Sequence, residues 1–428
     1  MAMGGEGATG ETGSDAADPY VIVGGGQAGY CAAAALRRAD PDSGIVLLAA
    51  EGLLPHERPP LSKAYLLGRQ PLEKLYFGDA AFYAEQRIDL RLSTPAAAID
   101  PAARTVTLGD GSVLRYRALL LATGARLRRL QLPGADLDGI LYLRSVGDAD
   151  ALGRALRQAK NVAVIGGGFI GMEVAAAARE LGCAVTVIEA EPRIMNRGAP
   201  AEISVAVAAL HRERGVTILT DSRVKGFAGS GRVAAVEVEG QPPLPCDLAV
   251  VGIGILPETG LAEAAGIACR DGILVDACGR TSAEGVFAAG DVARREDPAS
   301  GLSLRQEAFQ NAQGQAAAAA KTMAGQETPY TETPWLWSDQ YDETVQIAGM
   351  PQADDRLILR GDPASRSFTV LHLRGNVLAA ASVINAVREM RPCRRLIEGG
   401  LQVPGDASEA ELADPEVRLL DLSRRLKR

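Results

Sequence analysis

Tyr20-Val21-Ile22-Val23-Gly24-Gly25-Gly26-Gln27-Ala28-Gly29 is a run of apolar residues entering a glycine turn, and Ala-rich helical sequence follows as far as Arg38. The pattern is strand, tight turn, helix. Gly24 permits the turn, Gly26 lets the backbone approach a pyrophosphate, and Gly29 lets the helix lie close to the strand. The free N–H groups at the start of that helix then face the phosphates. A second apolar run, Ile45 to Leu48, is followed by Glu51, an acid at about the distance where such a fold places a carboxylate on an adenosine ribose.

The same device recurs. Val162 to Ile165 leads into Gly166-Gly167-Gly168-Phe169-Ile170-Gly171, a helix runs to Leu181, and Gly182 is placed to cap it. The next strand, Ala184 to Ile188, ends at Glu189, whose charge should accept the ribose hydroxyls of NADH and repel the 2′-phosphate of NADPH. Two like charges about 4 Å apart at an effective dielectric near 20 repel by about 4 kcal/mol. Arg193 and Arg197 lie close enough in sequence to soften that repulsion. Two dinucleotide sites in one chain suggest one tightly held cofactor and one exchanging partner, because electron transfer between them needs donor and acceptor stacked in one cleft. Flavin and nicotinamide are the natural pair.

The chain around these motifs is long enough, at 428 residues, for two or three domains. Its 47% apolar and 23% charged content is ordinary for a globular protein, and its net charge of -8 argues against general nucleic-acid binding. The six cysteines form no CxxC pair, so neither a metal site nor a local redox disulfide is signalled. No apolar run approaches the ~20 residues of a membrane span, and a cytoplasmic enzyme is expected. Residues 1–18, rich in Gly, Ala and acid, are expected to be a disordered tail and not a signal peptide.

After about Glu327 the composition changes. Both Trp residues appear, then strand-like runs at Val345 to Ala348, Arg356 to Arg360, Ser367 to Leu373 and Val377 to Ser382, then a helical run from Ala386 to Glu398. A separate α+β domain over 327–428 is expected. Arg388, Arg391 and Arg395 fall on one face of its helix. They read either as a stripe that steers an acidic partner or as a solvated face balanced by Glu389 and Glu398.

Two further segments, Leu119 to Ala122 with Thr123-Gly124-Ala125, and Gly285-Val286-Phe287-Ala288-Ala289-Gly290-Asp291, resemble those of flavoproteins related to glutathione reductase. Asp291 reads as an acid at a strand-to-helix turn, able to cap that helix as well as to contact a flavin. Within that fold the chain resembles the FAD-dependent NADH:ferredoxin reductases of bacterial oxygenase systems. The resemblance rests on Glu57 to Lys63, Thr123 to Arg126, Gly166 to Glu173, Gln306 to Asn311 and Pro334 to Tyr341. It implies an α/β chain with two Rossmann-like domains, for FAD (19–124 and 246–326) and for NAD (125–245), before the α+β domain. It implies Glu51 on the adenosine ribose, Arg58 near the pyrophosphate, Lys63 beside the flavin ring, and Ala28, Arg126, Arg144, Ala96, Thr123, Gly124, Gly290, Asp291, Phe309 and Trp337 at FAD. Glu173, Glu189 and Arg197 would serve NAD. Lys63 from the first domain and Glu173 from the second are expected to form a partly desolvated ion pair where hydride passes from nicotinamide to flavin, with electrons then leaving singly to a 2Fe–2S ferredoxin.

Two rival classes share this architecture. Flavoenzymes that use a cysteine beside the flavin would need it near Ser62, and the chain has none between Cys31 and Cys183. An NADH-sensing flavoprotein of the apoptosis-inducing-factor type, or a rubredoxin reductase, is the alternative.

Overall fold

A computed structural model describes residues 18–297 and 302–426; of the expected tail, all but Asp18 lies outside the described residues. The first sheet has five parallel strands in the order Val286–Ala288, Ala118–Leu121, Tyr20–Val23, Ile45–Leu48, Ile88–Arg91. Its three middle strands are buried along their whole length, which is why they read as unbroken apolar runs. On one face pack the helices Gln27–Ala39 and Phe309–Met323. Alanines 28, 32, 33, 35, 312, 316, 319 and 320 form their shared core, and side chains this small let the helices approach the sheet and each other closely.

The second sheet is also parallel, in the order Val216–Leu219, Ala184–Ile188, Asn161–Ile165, Leu248–Val251, Ile140–Leu141. This corrects the expected boundary at residue 245. Leu248–Val251, placed by its sequence in the returning FAD segment, pairs with Val162–Ile165 and belongs to the second unit. The chain crosses between units on a two-stranded ribbon instead, with Ala125–Leu127 running out against Ile255–Pro257 running back.

The closing unit is an antiparallel sheet ordered Trp335–Gln340, Glu343–Gly349, Val377–Ile384, Ser367–Arg374, Arg356–Asp362. Each of the four expected strands is present, and the Trp-bearing segment adds the fifth. Val345, Ile347, Phe368, Val370 and Ile384 from this sheet share one core with Val174, Ile203 and Val207 of the second unit. The opposite face carries the helix Val387–Glu398, where Arg388, Arg391 and Arg395 are exposed. Glu389 does not balance them. It turns inward, accepting from Arg360 Nε at 2.6 Å and from Thr369 Oγ1.

Arg360 is itself 3% exposed and spends its remaining donors on the carbonyls of Leu412, Asp414, Pro415 and Val417. One planar guanidinium thus fastens the C-terminal segment to the sheet. Arg360→Ala leaves Glu389 without its cation, with Thr369 as its remaining donor, and deprives four carbonyls of theirs, and should lower the stability of the closing unit by about 3–5 kcal/mol in urea unfolding. Arg360→Lys should recover only a minor part, since an ammonium cannot reproduce the fork.

Candidate active site

Each glycine turn has a closed side and an open side. A Cβ on Gly29 would stand 1.9 Å from Gly24 O, and one on Gly171 would stand 2.0 Å from Gly166 O, so helix and strand touch through glycine alone. A Cβ on Gly26 or Gly168 meets nothing within 4 Å. These two residues are the N-caps of Gln27–Ala39 and Phe169–Glu180, and neither helix has a side-chain cap. Two helix N-termini with free N–H groups and open space in front of them suit the pyrophosphates of two dinucleotides.

Around the first turn, Glu51 accepts from Arg58 Nη2 at 2.6 Å, and Arg58 Nη1 donates to Arg144 O at 2.7 Å. Arg144 Nη2 lies 3.2 Å from Asp291 Oδ2, and a Cβ on Gly124 would stand 3.5 Å from the same nitrogen. Burial raises the Glu51 carboxyl, but Arg58 outweighs it and the net direction is down, so the acid is ionised. Gly290 approaches so closely that its Cβ would lie 3.0 Å from Ala28. Thr123 Oγ1 donates to Glu258 O at 2.7 Å. No helix follows Asp291, which corrects the capping expectation. Gly290-Asp291 turns instead into the strand Ala293–Asp297, and the carboxylate's partner is Arg144.

Around the second turn, Glu189 Oε2 accepts from Gly167 N at 2.6 Å and Oε1 from Glu191 N at 2.9 Å. The acid is fixed at the loop by its backbone. Arg193 points away, donating to Ala199 O, Ser204 Oγ and Asn196 O, so it cannot soften the charge of Glu189. Arg197 is exposed, beside Gly254.

The units meet at Glu173. Its side chain is 4% exposed, with Lys63 Nζ 3.3 Å from Oε1. Ser62 Oγ donates to Oε2, and Ser338 Oγ donates to Oε1 at 2.6 Å. Burial pushes this carboxyl up, and Lys63 with the two hydroxyls opposes the rise. Lys63 also stands 3.4 Å from Asp339 Oδ2 and 5.6 Å from the centre of the Trp337 ring. Trp337 stacks on Trp335 at 5.3 Å and meets Phe309 edge-on at 5.6 Å. Ser62, Ser338, Asp339 and Gln340 carry no chemical signal of their own in the sequence. What points toward them is their place in the segments Glu57 to Lys63 and Pro334 to Tyr341 that carry the family resemblance.

Other expected residues lie outside these clusters. Arg126, on the connecting ribbon, pairs with Glu258 at 3.3 Å with its side chain 60% exposed. Ala96 begins the strand Ala96–Asp100 of a separate three-stranded sheet, and Ile170 is 47% exposed. Phe169 packs over Gly198. Among the described residues no group of three or more His, Cys, Asp or Glu could hold a metal, all six cysteines are free, and no helix is long and apolar enough to cross a membrane.

Residues 18–316 match the pyridine nucleotide-disulphide oxidoreductases, and residues 335–423 match the reductase C-terminal domain. The chain belongs to the pyridine nucleotide-disulphide oxidoreductase family. Among relatives in that family, the ferredoxin--NAD(+) reductase component of the anthranilate 1,2-dioxygenase system of Burkholderia cepacia is 44% identical over 94% of this chain and 98% of its own. Rhodocoxin reductase of Rhodococcus erythropolis is 37% identical over 93% of each chain. A solved covalent complex of putidaredoxin reductase with putidaredoxin superposes with a TM-score of 0.92, at 36% identity over 96% of this chain and 100% of that one. Despite the family's name, this chain has no cysteine between Cys31 and Cys183 to stand beside the Lys63–Glu173 pair.

The closed and open sides of the turns separate by mutation. Gly29→Ala forces a Cβ into a backbone oxygen and should destabilise the chain by about 3 kcal/mol or more in urea unfolding. Gly26→Val projects into open space, so its apoprotein should melt within about 2 °C of the parent apoprotein while the purified protein loses its yellow flavin absorbance.

Proposed function

We propose that this chain is an NADH-dependent FAD reductase that passes electrons singly to a 2Fe–2S ferredoxin serving an oxygenase. The observation that carries the reading is the buried Lys63–Glu173 pair, built at the meeting of both glycine-turn units and the Trp-bearing strand, with no cysteine beside it. When bound, FAD accepts two electrons from NADH and releases them one at a time, the exchange a one-electron carrier requires.

The chain's own groups divide the remaining work. The first glycine turn, with Arg58, Arg144 and Asp291 behind it, holds the FAD pyrophosphate, and Glu51 takes the adenosine ribose. The second turn holds NADH, with Glu189 on its ribose. Lys63 would place a fixed positive charge beside a bound flavin, favouring its reduced, anionic form, and Glu173 holds that ammonium in place in a setting where both charges are largely removed from water. Trp337, reached by Lys63 and flanked by Phe309, forms the apolar wall beside it.

Partner choice has a physical basis in the closing unit. Arg388, Arg391 and Arg395 are exposed and have no ion-pair partner among the described residues, so they present a positive stripe on an acidic protein. Such a stripe raises the encounter rate with an acidic ferredoxin and loses its effect at high salt. Dependence on the NADH pool suits a cytoplasmic location.

In anaerobic stopped flow the holoenzyme should bleach rapidly with NADH and recover rapidly with a 2Fe–2S ferredoxin. Bleaching without recovery by any ferredoxin or rubredoxin would replace the reductase with an NADH sensor. Glu189→Gln removes the charge and can keep only one of the two backbone contacts, because an amide nitrogen cannot accept, and the ratio of kcat/KM for NADH to that for NADPH should fall by about tenfold. An unchanged ratio would take Glu189 out of nucleotide selection.

A further inference from the structure

Behind Glu173 a chain of side chains leads to a histidine that none of the chemistry above uses. His211, near the end of the helix Ala201–Glu213, is completely buried, with Nε2 2.8 Å from Gln340 Oε1. Gln340 Nε2 donates to Ser338 Oγ at 3.2 Å and faces Met195 Sδ at 3.9 Å. Ser338 Oγ donates to Glu173 Oε1 at 2.6 Å.

The direction of every proton in this chain follows from the acceptors. The Met195 thioether can only accept, so the amide nitrogen of Gln340 must face it. That leaves Gln340 Oε1 toward His211, which must carry its proton on Nε2. The imidazole is neutral, since burial lowers it to about 4. Its Nδ1 has no partner among the described residues, so a proton moved there would find no acceptor among them. With the Ser338 oxygen already accepting from Gln340, the hydroxyl proton turns to Glu173. The chain is one-way, and each bond polarises the next toward the carboxylate.

We propose that His211 is a positioning residue that fixes the orientation of Gln340 and Ser338 and so keeps Glu173 ionised opposite Lys63. A proton on Glu173 Oε1 would reverse the last bond and require Gln340 to flip its oxygen onto Met195, so the chain holds that oxygen as an acceptor and leaves Oε2, on the Ser62 side, as the place where a proton can enter. The proposal rests on the reading of Lys63–Glu173 as the working pair. The charges facing Glu173 are Lys63 and, beyond it, Asp339. Those around His211 are remote: the Tyr341 ring lies 5.0 Å away, with Arg214 over its far side and Arg179 and Glu180 acting on the tyrosine.

The test is an infrared titration of the Glu173 carboxyl stretch in the holoenzyme, the band being identified by its loss in Glu173→Gln. Neither NADH nor ferredoxin takes part, so the result stands apart from whether a ferredoxin is the acceptor. Ser338→Ala, which removes the last donor, should raise the Glu173 midpoint by about one pH unit. His211→Leu should raise it by about half a unit through loss of orientation alone, and His211→Gln, which returns an N–H donor, should restore the parental value. Where His211→Leu fails to accumulate, Gln340→Met cuts the middle link at similar volume and must give the same rise. A parental midpoint in His211→Leu or Gln340→Met, whatever its melting temperature, would reduce the chain to packing and overturn the proposal.

Discussion

A carboxylate removed from water must be matched by charge and by hydrogen bonds, or it will not stay a carboxylate. At Glu173 three donors work toward that end against the burial that still holds its carboxyl above the ordinary range, and no single unit of the chain supplies them all. Lys63 and Ser62 come from a turn inside the first glycine-turn unit, the acid from the helix of the second, and Ser338 from the first strand of the closing sheet. The relative placement of the three units is therefore written into the requirement to satisfy one buried charge. A displacement that separated any of them would leave either an unpaired acid or an unpaired ammonium inside the protein, an error of several kcal/mol.

That junction also accounts for the distribution of the remaining charges. The residues that stay wet, such as Arg126 with Glu258, pair loosely on the connecting ribbon, where a surface ion pair contributes little. Those that carry structure are buried and fully bonded, as Arg360 is. Between these extremes lie Glu51, Arg58, Arg144 and Asp291, half-covered and linked hand to hand around an open helix end. Partial cover suits groups that must hold each other in place and still be reached by a ligand.

Much of this was legible in the residues. Fully buried parallel strands leave unbroken apolar runs, and the glycine spacing records contacts too close for any Cβ, so both dinucleotide units and their order could be read directly. The boundary error and the misreading of Asp291 have a common origin. Leu248-Ala249-Val250-Val251-Gly252 and Val286-Phe287-Ala288-Ala289-Gly290 are alike in pattern, both being short buried strands that lead into glycine. Local pattern records that a strand is buried, not which sheet receives it or whether a helix or another strand follows. Ser338, Gln340 and His211 were illegible for a different reason: hydroxyls, amides and a lone imidazole look like ordinary polar residues until folding brings positions 62, 173, 211 and 338 together.

The closing sheet is the unit that differs most in character from the rest of the chain, and at first sight it looks detachable. Its first strand says otherwise, because Ser338 and Gln340 alternate on the face that meets the second unit and complete the surroundings of Glu173. Recombination among relatives can therefore exchange the outer helices of this sheet freely but inherits a constraint at its inner edge. A donor domain brought in to serve a new partner must carry a hydroxyl and an amide two residues apart on that strand, so the shape of the partner's landing surface can change without altering the electrostatics of the flavin side.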